Sequence, residues 1–360
     1  MIFRFLGAFS VVFAINTGIY AQKDSIKPKH LLIFPVVARS IETGWSFGTV
    51  GSSTFRFAKG DTISRTSNLQ LLLLYSTKKQ LVTAINGSQY FDKEQYILNE
   101  QISFSSYPDK FWGLGKNTAE ENEESYKFKQ FYVYLHFLRK VAPSLFVGLL
   151  FETQRVWDID YQPGGLFDQQ KVLGRTDYHV SGLGSSLTYD KRNNAFAPDK
   201  GLFCQLSFNH FDKFWGSDFN YTNIVFDLRK YIPVFGKKVL AFQLFSFNNA
   251  GDVPLRSLAS FGGANRMRGY YDGRYKDNNQ LILQGEYRFP VYKRFSAVAF
   301  AGGGNVSSRF ADYSLSDLKI SYGAGLRFVL DKKEKLNLRI DYGIGQGKNN
   351  GFYLQLGEAF

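Results

Sequence analysis

The segment at positions 261–280, FGGANRMRGYYDGRYKDNNQ, holds the side chains best suited to polar recognition. Arg266, Arg268 and Arg274 stand there among four glycines and three tyrosines, between two segments that alternate like strands. A guanidinium group is a fixed fork of donors that matches a carboxylate in two places at once. A loop that only connects two strands does not need this chemistry, so we predict that the segment positions or binds something.

The residues that could carry catalysis are few and are not spaced like a known active site. The sequence contains four histidines: His30, His136, His179 and His210. Ser144 and Ser181 lie near two of them, but no G-x-S-x-G occurs, and no histidine pair has the spacing of a metal site on a helix. We therefore predict that the protein is not an enzyme and has no catalytic residue, metal or cofactor.

The N-terminal residues have the pattern of a secretory signal, and no apolar run of 18 residues, as a transmembrane helix would need, occurs elsewhere. Arg4 precedes a short apolar stretch, and Ala21 ends a plausible cleavage site. The alternative is a retained anchor, although the stretch is short for a transmembrane helix. We predict a signal peptide at 1–21, a short periplasmic lead at 22–30 and one domain at 31–360.

Charge and cysteine content restrict the class of partner. The single cysteine, Cys204, excludes an intrachain disulfide framework and a cysteine zinc cluster. The net charge of +13 would favour nucleic acid in a cytosolic protein. After a signal peptide, anionic lipid head groups or an acidic partner fit better, and a merely basic surface is equally compatible. We predict no nucleic-acid partner.

After residue 30 the dominant sequence period is two, which is typical of strands. In LILQGEYRF, at positions 281–289, Glu286 falls on the polar face. In KLNLRIDYGIG, at positions 335–345, Asp341 falls on the polar face. In the last ten residues, Phe352, Leu354, Leu356 and Phe360 share the apolar face.

A soluble β-sandwich and a membrane barrel both fit strands with one apolar and one polar face. The signal peptide, the long strands and the aromatic residues at strand ends favour a transmembrane β-barrel in the bacterial outer membrane. Sixteen strands are predicted at 31–41, 45–58, 65–77, 80–91, 95–106, 126–138, 142–157, 176–190, 200–212, 217–231, 237–249, 280–290, 294–306, 317–330, 335–346 and 350–360. The long connections all fall at one end, which is expected of the extracellular side.

Two motifs resemble the BamA/TamA family of outer-membrane assembly and surface-antigen barrels. The first lies in GLGSSLTYDKRNNAFAPDKG, where Asp190, Arg192, Pro198 and Gly201 match the family's periplasmic turn. The second is RMRGYYDG, where Arg268, Gly269 and Tyr270 match the family's loop motif. The order and spacing of the two motifs also fit, with three strands between the turn and the loop.

The resemblance implies a sixteen-stranded antiparallel transmembrane β-barrel with an extracellular loop folded into the lumen. Arg268 would then pair with an acid on the inner wall, and Glu286 matches the family's acid. A second family acid is absent, because Gly302 stands at its place. Asp341 on the fifteenth strand is the candidate substitute. The alternative is that Arg268 and Glu286 are unrelated charges of the lumen.

The resemblance also implies a function in protein or lipid insertion or export at the barrel seam. Family members carry periplasmic POTRA modules, and about ten residues between Ala21 and the first strand leave no room for one. A separate periplasmic POTRA-type or lipoprotein partner is therefore expected, together with outer-membrane lipids and lipopolysaccharide. The terminal Phe360 resembles an insertion signal, so the chain would itself be a client of the barrel-assembly machinery. The alternative function is a plugged structural or anchor barrel.

Overall fold

A computed structural model describes residues 11–12, 30–58, 61, 64–194, 197–331 and 335–360. In these residues the protein is a closed antiparallel β-barrel of sixteen strands. The strands are β1 His30–Ser40, β2 Gly44–Phe55, β3 Ser67–Ser76, β4 Leu81–Phe91, β5 Tyr96–Phe111, β6 Glu124–Ala142, β7 Leu145–Asp160, β8 Tyr178–Asp190, β9 Gly201–Phe211, β10 Tyr221–Pro233, β11 Val239–Gly251, β12 Asn279–Tyr292, β13 Phe295–Ser307, β14 Lys319–Asp331, β15 Leu336–Gly345 and β16 Asn350–Leu356. Each one overlaps a predicted strand. The predicted barrel architecture and strand number are confirmed.

Burial alternates along the strands in the sense opposite to that of a soluble protein. On β6, Gln130 and His136 are buried, whereas Phe131 and Phe137 are exposed. On β7, the side chain of Leu149 is 68% exposed, while Glu152 and Gln154 are buried. An apolar outer face and a polar inner face are what a barrel in lipid requires. No helix in the described ranges is long and apolar enough to cross a membrane.

The inner face near the first strands departs from this rule, because it is apolar. Val36 on β1, Leu72 and Leu74 on β3, and Val82 on β4 are all buried and form one cluster. The general pattern of an apolar outer face and a polar inner face therefore does not hold for these strands. The sequence LQLLLLYS places leucine on both faces of β3. The inward leucines leave water by packing on neighbouring strands.

The barrel closes where β16 meets β1, and this seam is weakly paired. In the described residues, β16 and β1 share one register pair, Leu354 with Arg39. β15 and β16 share seven pairs, and β1 and β2 share eleven. A two-residue strand, Val11–Val12, pairs with Val37 and Val36 on the seam side of β1. The other residues of the predicted signal peptide lie outside the described ranges.

The connections differ in length between the two ends of the barrel. One end carries the connections 112–123, 161–177, 212–220, 252–278 and 308–318, and the other end has short turns such as Pro143–Ser144. A one-turn helix, Leu166–Gln169, lies in the second connection. The connection 252–278, here called the arginine loop, contains a small hairpin of Ala259–Phe261 with Tyr275–Asp277. The lengths identify the loop end as extracellular.

The tail after β16 corrects the prediction that Phe360 shares the outward face with Leu354 and Leu356. The strand ends at Leu356, and Gly357 then adopts a φ of 79°, in the left-handed region that favours glycine. The chain therefore leaves the strand, and the alternation stops. Phe360 is 6% exposed and packs against Tyr231 and the inner face of β11.

Candidate functional site

Arg268 of the arginine loop is buried among acids on the inner face of the closing strands. Its Nη2 donates to Glu286 Oε1 on β12, and its Nη1 donates to Asp341 Oδ2 on β15, both at 2.5 Å. The guanidinium carbon lies 3.5 Å from the ring centre of Phe300 on β13. Its side chain is 1% exposed. The structure thus brings together Arg268, Glu286 and Asp341.

This pairing belongs to a larger buried network of charges. Four guanidinium groups, those of Arg268, Arg288, Arg327 and Arg339, lie among three carboxylates, those of Glu286, Asp341 and Glu358. Each carboxylate binds at least two arginines. Because the guanidinium groups outnumber the carboxylates, removing a carboxylate leaves buried arginines uncompensated, which is strongly unfavourable.

The backbone of the loop motif lies directly against two glycines of β15. Gly269 N–H donates to the hydroxyl of Tyr353 on β16, and Tyr270 donates its hydroxyl to the carbonyl of Ile320. A Cβ at Gly343 would lie 2.5 Å from the carbonyl carbon of Arg268, and one at Gly345 would lie 2.7 Å from the ring of Tyr270. The sequence GIG in β15 therefore makes room for the loop.

Gly269 itself is required for two reasons. Its φ is 112°, which disfavours any side chain, and an added Cβ would lie 2.7 Å from Gly345 N. We expect Gly269→Ala to lower the free energy of unfolding by about 3 kcal/mol or more, measured by urea denaturation of the barrel in detergent micelles.

Gly216 provides the matched control for this substitution. It has a φ of 84°, and nothing lies within 4 Å of an added Cβ. Gly216→Ala therefore isolates the backbone strain, about 1 kcal/mol. Equal losses for the two variants would show that the close approach to β15 does not matter.

The periplasmic turn motif between β8 and β9 forms its own ion pair. Arg192 donates to both carboxylate oxygens of Asp190, each at 2.9 Å, and its guanidinium covers the ring of Phe203. Gly201 has a φ of 117°, and an added Cβ would lie 2.2 Å from the carbonyl oxygen of Lys191. Only glycine fits there, which accounts for its place in the motif.

One arginine connects the two motifs that carry the family resemblance. Arg288 on β12 donates from Nε to Glu286 Oε2 at 2.8 Å, and Glu286 in turn accepts from Arg268. The Nη1 of Arg288 lies 3.5 Å from the carbonyl of Pro198, and its Nη2 donates to the carbonyl of Phe360 at 3.0 Å. A continuous series of contacts thus runs from the arginine loop to the periplasmic turn and the tail.

The other side of the arginine loop contacts the first hairpin and β5. Asp272 N–H donates to Glu42 Oε1 in the β1–β2 turn, and Tyr271 donates its hydroxyl to Asp109 on β5, both at 2.9 Å. Burial raises the pKa of Glu42 to about 7, and the nearby charge of Asp272 acts in the same direction. A cavity of about 130 Å³ lies beside these residues and is also lined by Arg256 and Lys276.

His136 and His179 lie in strands of the barrel and bond to hydroxyl groups of other strands. His136 Nε2 lies 2.7 Å from Ser186 Oγ on the inner face, and His179 Nε2 lies 2.7 Å from Thr153 Oγ1. In the ranges that the structure describes, Nδ1 of His136 has no hydrogen bond to a carboxylate. No group of three or more acidic, histidine or cysteine residues there could hold a metal ion.

Several members of the charge network were not among the predicted site residues. Arg327 binds both Asp341 and Glu358, at 2.5 and 2.8 Å. Its position could have been found from the alternation of β14, where Ser321, Gly323 and Gly325 precede it on the same face. Glu358 offers no such signal, because it lies beyond the end of β16.

Three solved structures share the fold of this chain. BamA from Haemophilus ducreyi lacking POTRA domains 1-3 is similar in structure, with a TM-score of 0.59 and 17% identity over 90% of this chain and 69% of that one. CdiB from Acinetobacter baumannii has a TM-score of 0.55 and 12% identity over 91% of this chain and 65% of that one. CdiB from Escherichia coli has a TM-score of 0.57 and 12% identity over 92% and 68%. The search of curated proteins finds no significant match.

A family profile extends the likeness from the fold to the sequence. The profile of the Omp85 superfamily domain matches residues 59–360, a region that contains both motifs and the charge network. Such a barrel is typical of the bacterial outer membrane. Because the match covers most of the chain, the protein belongs to the Omp85 superfamily.

Proposed function

We propose that this barrel aids the insertion or export of protein or lipid by opening between β1 and β16. The observation that carries the proposal is that, among the residues described, the seam has one register pair, Leu354 with Arg39. Each ordinary backbone hydrogen bond contributes about 1 kcal/mol net. The seam is therefore the least costly place to part the wall. Cleavage after Ala21, which the sequence predicts, would also remove Val11–Val12 from the edge of β1.

The motif of the arginine loop supports this proposal because it holds the β16 side of the seam from within. The bond from Asp272 N–H to Glu42 in the β1–β2 turn would have to break when the seam opens. We infer that the loop folds into the lumen, since its motif binds inward-pointing side chains of the closing strands. Glu286 on β12, Ser321 on β14, Asp341 on β15 and Tyr353 on β16 all bind residues of the motif. The strands β12 to β16 would then stay together when the seam opens, and β1 would be the strand that moves.

The proposal includes a periplasmic partner and the lipids around the barrel. The name of the H. ducreyi relative shows that BamA carries POTRA domains. We infer that this barrel likewise acts with a periplasmic POTRA-type or lipoprotein partner, within outer-membrane lipids and lipopolysaccharide, and that the barrel-assembly machinery inserts it. Affinity isolation from gently solubilised outer membrane tests the partner, and recovery of the barrel alone would contradict it.

The second candidate function is a structural or anchor barrel without insertase activity. The contacts over the extracellular end favour it, because the connection 112–123 bridges several others. Lys116 pairs with Asp317 at 2.6 Å, and Glu120 accepts from Asn349 at 2.9 Å. A barrel covered in this way is suited to holding a partner at the surface. Neither candidate function involves catalysis.

Depletion of the protein separates the two candidates. If the barrel is an insertion or export device, we expect other outer-membrane proteins or lipids to fall as its level falls, because their route is lost. The measurement is quantitative proteomics and lipid analysis of isolated outer membranes after depletion. Normal levels of every other barrel and lipid would favour the anchor.

A further inference from the structure

A trough lined by lysines lies on the outer wall, outside the site described above. Its floor is the outward side of β5, where Ser106 and Pro108 are small side chains. Lys78 and Lys79 of the β3–β4 turn stand on one side, and Lys127 of β6 stands on the other. Lys127 is the register partner of Pro108, and the turn is held beside Pro108 by a bond from Gln80. The trough has a volume of about 460 Å³.

The position of the trough along the barrel matches the head-group layer of the outer leaflet. One step toward the membrane centre, Phe104 on β5 and Phe131 on β6 are register partners, and Phe104 packs against Trp157. Outward aromatic residues of this kind form the girdle at a membrane interface. The lysine side chains begin just beyond this girdle, on the side of the long connections. They can reach the charged layer while their stems stay on apolar surface.

The charges of the trough are only partly compensated by the protein. Lys127 lies 3.7 Å from Asp160, but both side chains are at least 70% exposed, so this pair contributes little. No ion pair is recorded for Lys78 or Lys79 within the ranges that the structure describes. Burial lowers the pKa of Lys78, with Lys110 acting in the same direction and Glu42, Glu123 and Asp109 acting against it. Its Nζ donates to the carbonyl of Ile41 at 2.5 Å. An anion placed between the lysines would add a charged partner for these ammonium groups.

We propose that this trough, formed by Lys78, Lys79 and Lys127 over Ser106 and Pro108, binds a phosphate group of lipopolysaccharide in the outer leaflet. A phosphate on the glucosamine disaccharide carries up to two charges and several acceptor oxygens. Compact ammonium groups on flexible stems can surround it without a fixed geometry. Neighbouring strands lie about 4.8 Å apart, so the lysines on either side of β5 are about two strand spacings apart. This separation fits one phosphate group between two ammonium groups. The proposal does not depend on the seam.

The test measures binding of diphosphorylated lipid A to the purified full-length barrel in neutral detergent, by native mass spectrometry. Each lysine near an anionic lipid surface adds about fivefold to binding. We therefore expect the triple variant K78Q/K79Q/K127Q to bind lipid A at least about tenfold more weakly. The control K237Q/K238Q/K293Q removes the same charge from turns at the opposite end and should bind like the unchanged protein.

Further arms of the experiment identify the source of the anion. Lipid A stripped of its phosphates should bind weakly to the unchanged barrel, with no further loss in the triple variant. Equal loss in both triple variants would show a general charge effect and overturn the proposal. Binding of inorganic phosphate or poly-glutamate at the trough without binding of lipid A would assign a soluble anion or an acidic protein instead. Heat-modifiable mobility in gels confirms that each variant is folded.

Discussion

Replacing Arg268 with methionine is expected to lower the free energy of unfolding of the barrel by about 3–5 kcal/mol. The substitution keeps most of the apolar stem but removes two buried charge-assisted hydrogen bonds of 2.5 Å, one to Glu286 and one to Asp341, while Arg288 and Arg327 stay in place. Both carboxylates are fully buried, so water cannot replace the lost partner. The measurement is urea denaturation in detergent micelles, followed by tryptophan fluorescence.

Arg274 offers the matched control within the same loop. It is 3% exposed, and its guanidinium donates to the hydroxyl and carbonyl of Thr118, with no carboxylate partner recorded in the described residues. Arg274→Met should therefore cost less, about 1–3 kcal/mol. If the Arg268 variant is no less stable than the Arg274 variant, the paired carboxylates do not matter and Arg268 is an ordinary buried arginine.

A charge reversal gives a further check on the pairing. Arg268→Glu should prevent assembly, and adding Glu286→Arg should restore it in part. Full recovery is not expected, because Asp341 would face the new carboxylate and Arg288 would face the new guanidinium. A double variant that assembles no better than either single variant would argue against the pairing.

The inner-wall positions of the acids could be predicted from the sequence because a strand has a strict period of two. Glu286 and Asp341 each lie on the polar face of a regular strand, and both are buried on the inner face. The contacts of Glu286 and Asp341 with Arg268 could not be predicted from the alternation, because they join three segments that are distant in sequence. The family resemblance supplied that expectation, and the structure gives the contacts.

The structure departs from the sequence pattern at a few positions, and each departure has a local cause. Phe360 continues the alternation of β16 in sequence, but Gly357 adopts a left-handed conformation and directs the chain inward. Leu72 and Leu74 face inward because β3 has leucine on both faces, and a period-two pattern carries no information when both faces are apolar. β5 extends to Phe111, beyond its predicted end, and β6 begins at Glu124, before its predicted start. The polar residues at these strand ends still pair with each other.

A proline in the first strand is tolerated if that strand lies at the seam, and the structure has the strand there. Pro35 interrupts the first predicted strand, and a proline lacks the N–H that a central strand needs. In the structure Pro35 lies opposite Thr49 on β2, while the other edge of β1 meets β16 at Arg39 alone in the described residues. The strand that contains the proline is therefore the strand at the seam.

Locking the seam with a disulfide is expected to abolish the function of the barrel while leaving it folded. Arg39 and Leu354 are register partners, and both point outward. Partners in an antiparallel pair have Cα atoms about 4.5–5.5 Å apart, which suits a disulfide. In a Cys204→Ser background, the variant Arg39→Cys with Leu354→Cys should form the crosslink in an oxidising compartment. A covalent bond prevents β1 from parting from β16, so clients can no longer pass.

The control uses the same cysteine on the opposite side of β16. Ile340 on β15 is the other register partner of Leu354, within a ladder of seven pairs. Ile340→Cys with Leu354→Cys crosslinks a pair that the proposal keeps closed, so this variant should complement a depletion strain. The measured quantities are the levels of other outer-membrane proteins and lipids, with and without reductant. A locked seam that complements as well as the control would mean that opening is not required, and the anchor function would then be the better account.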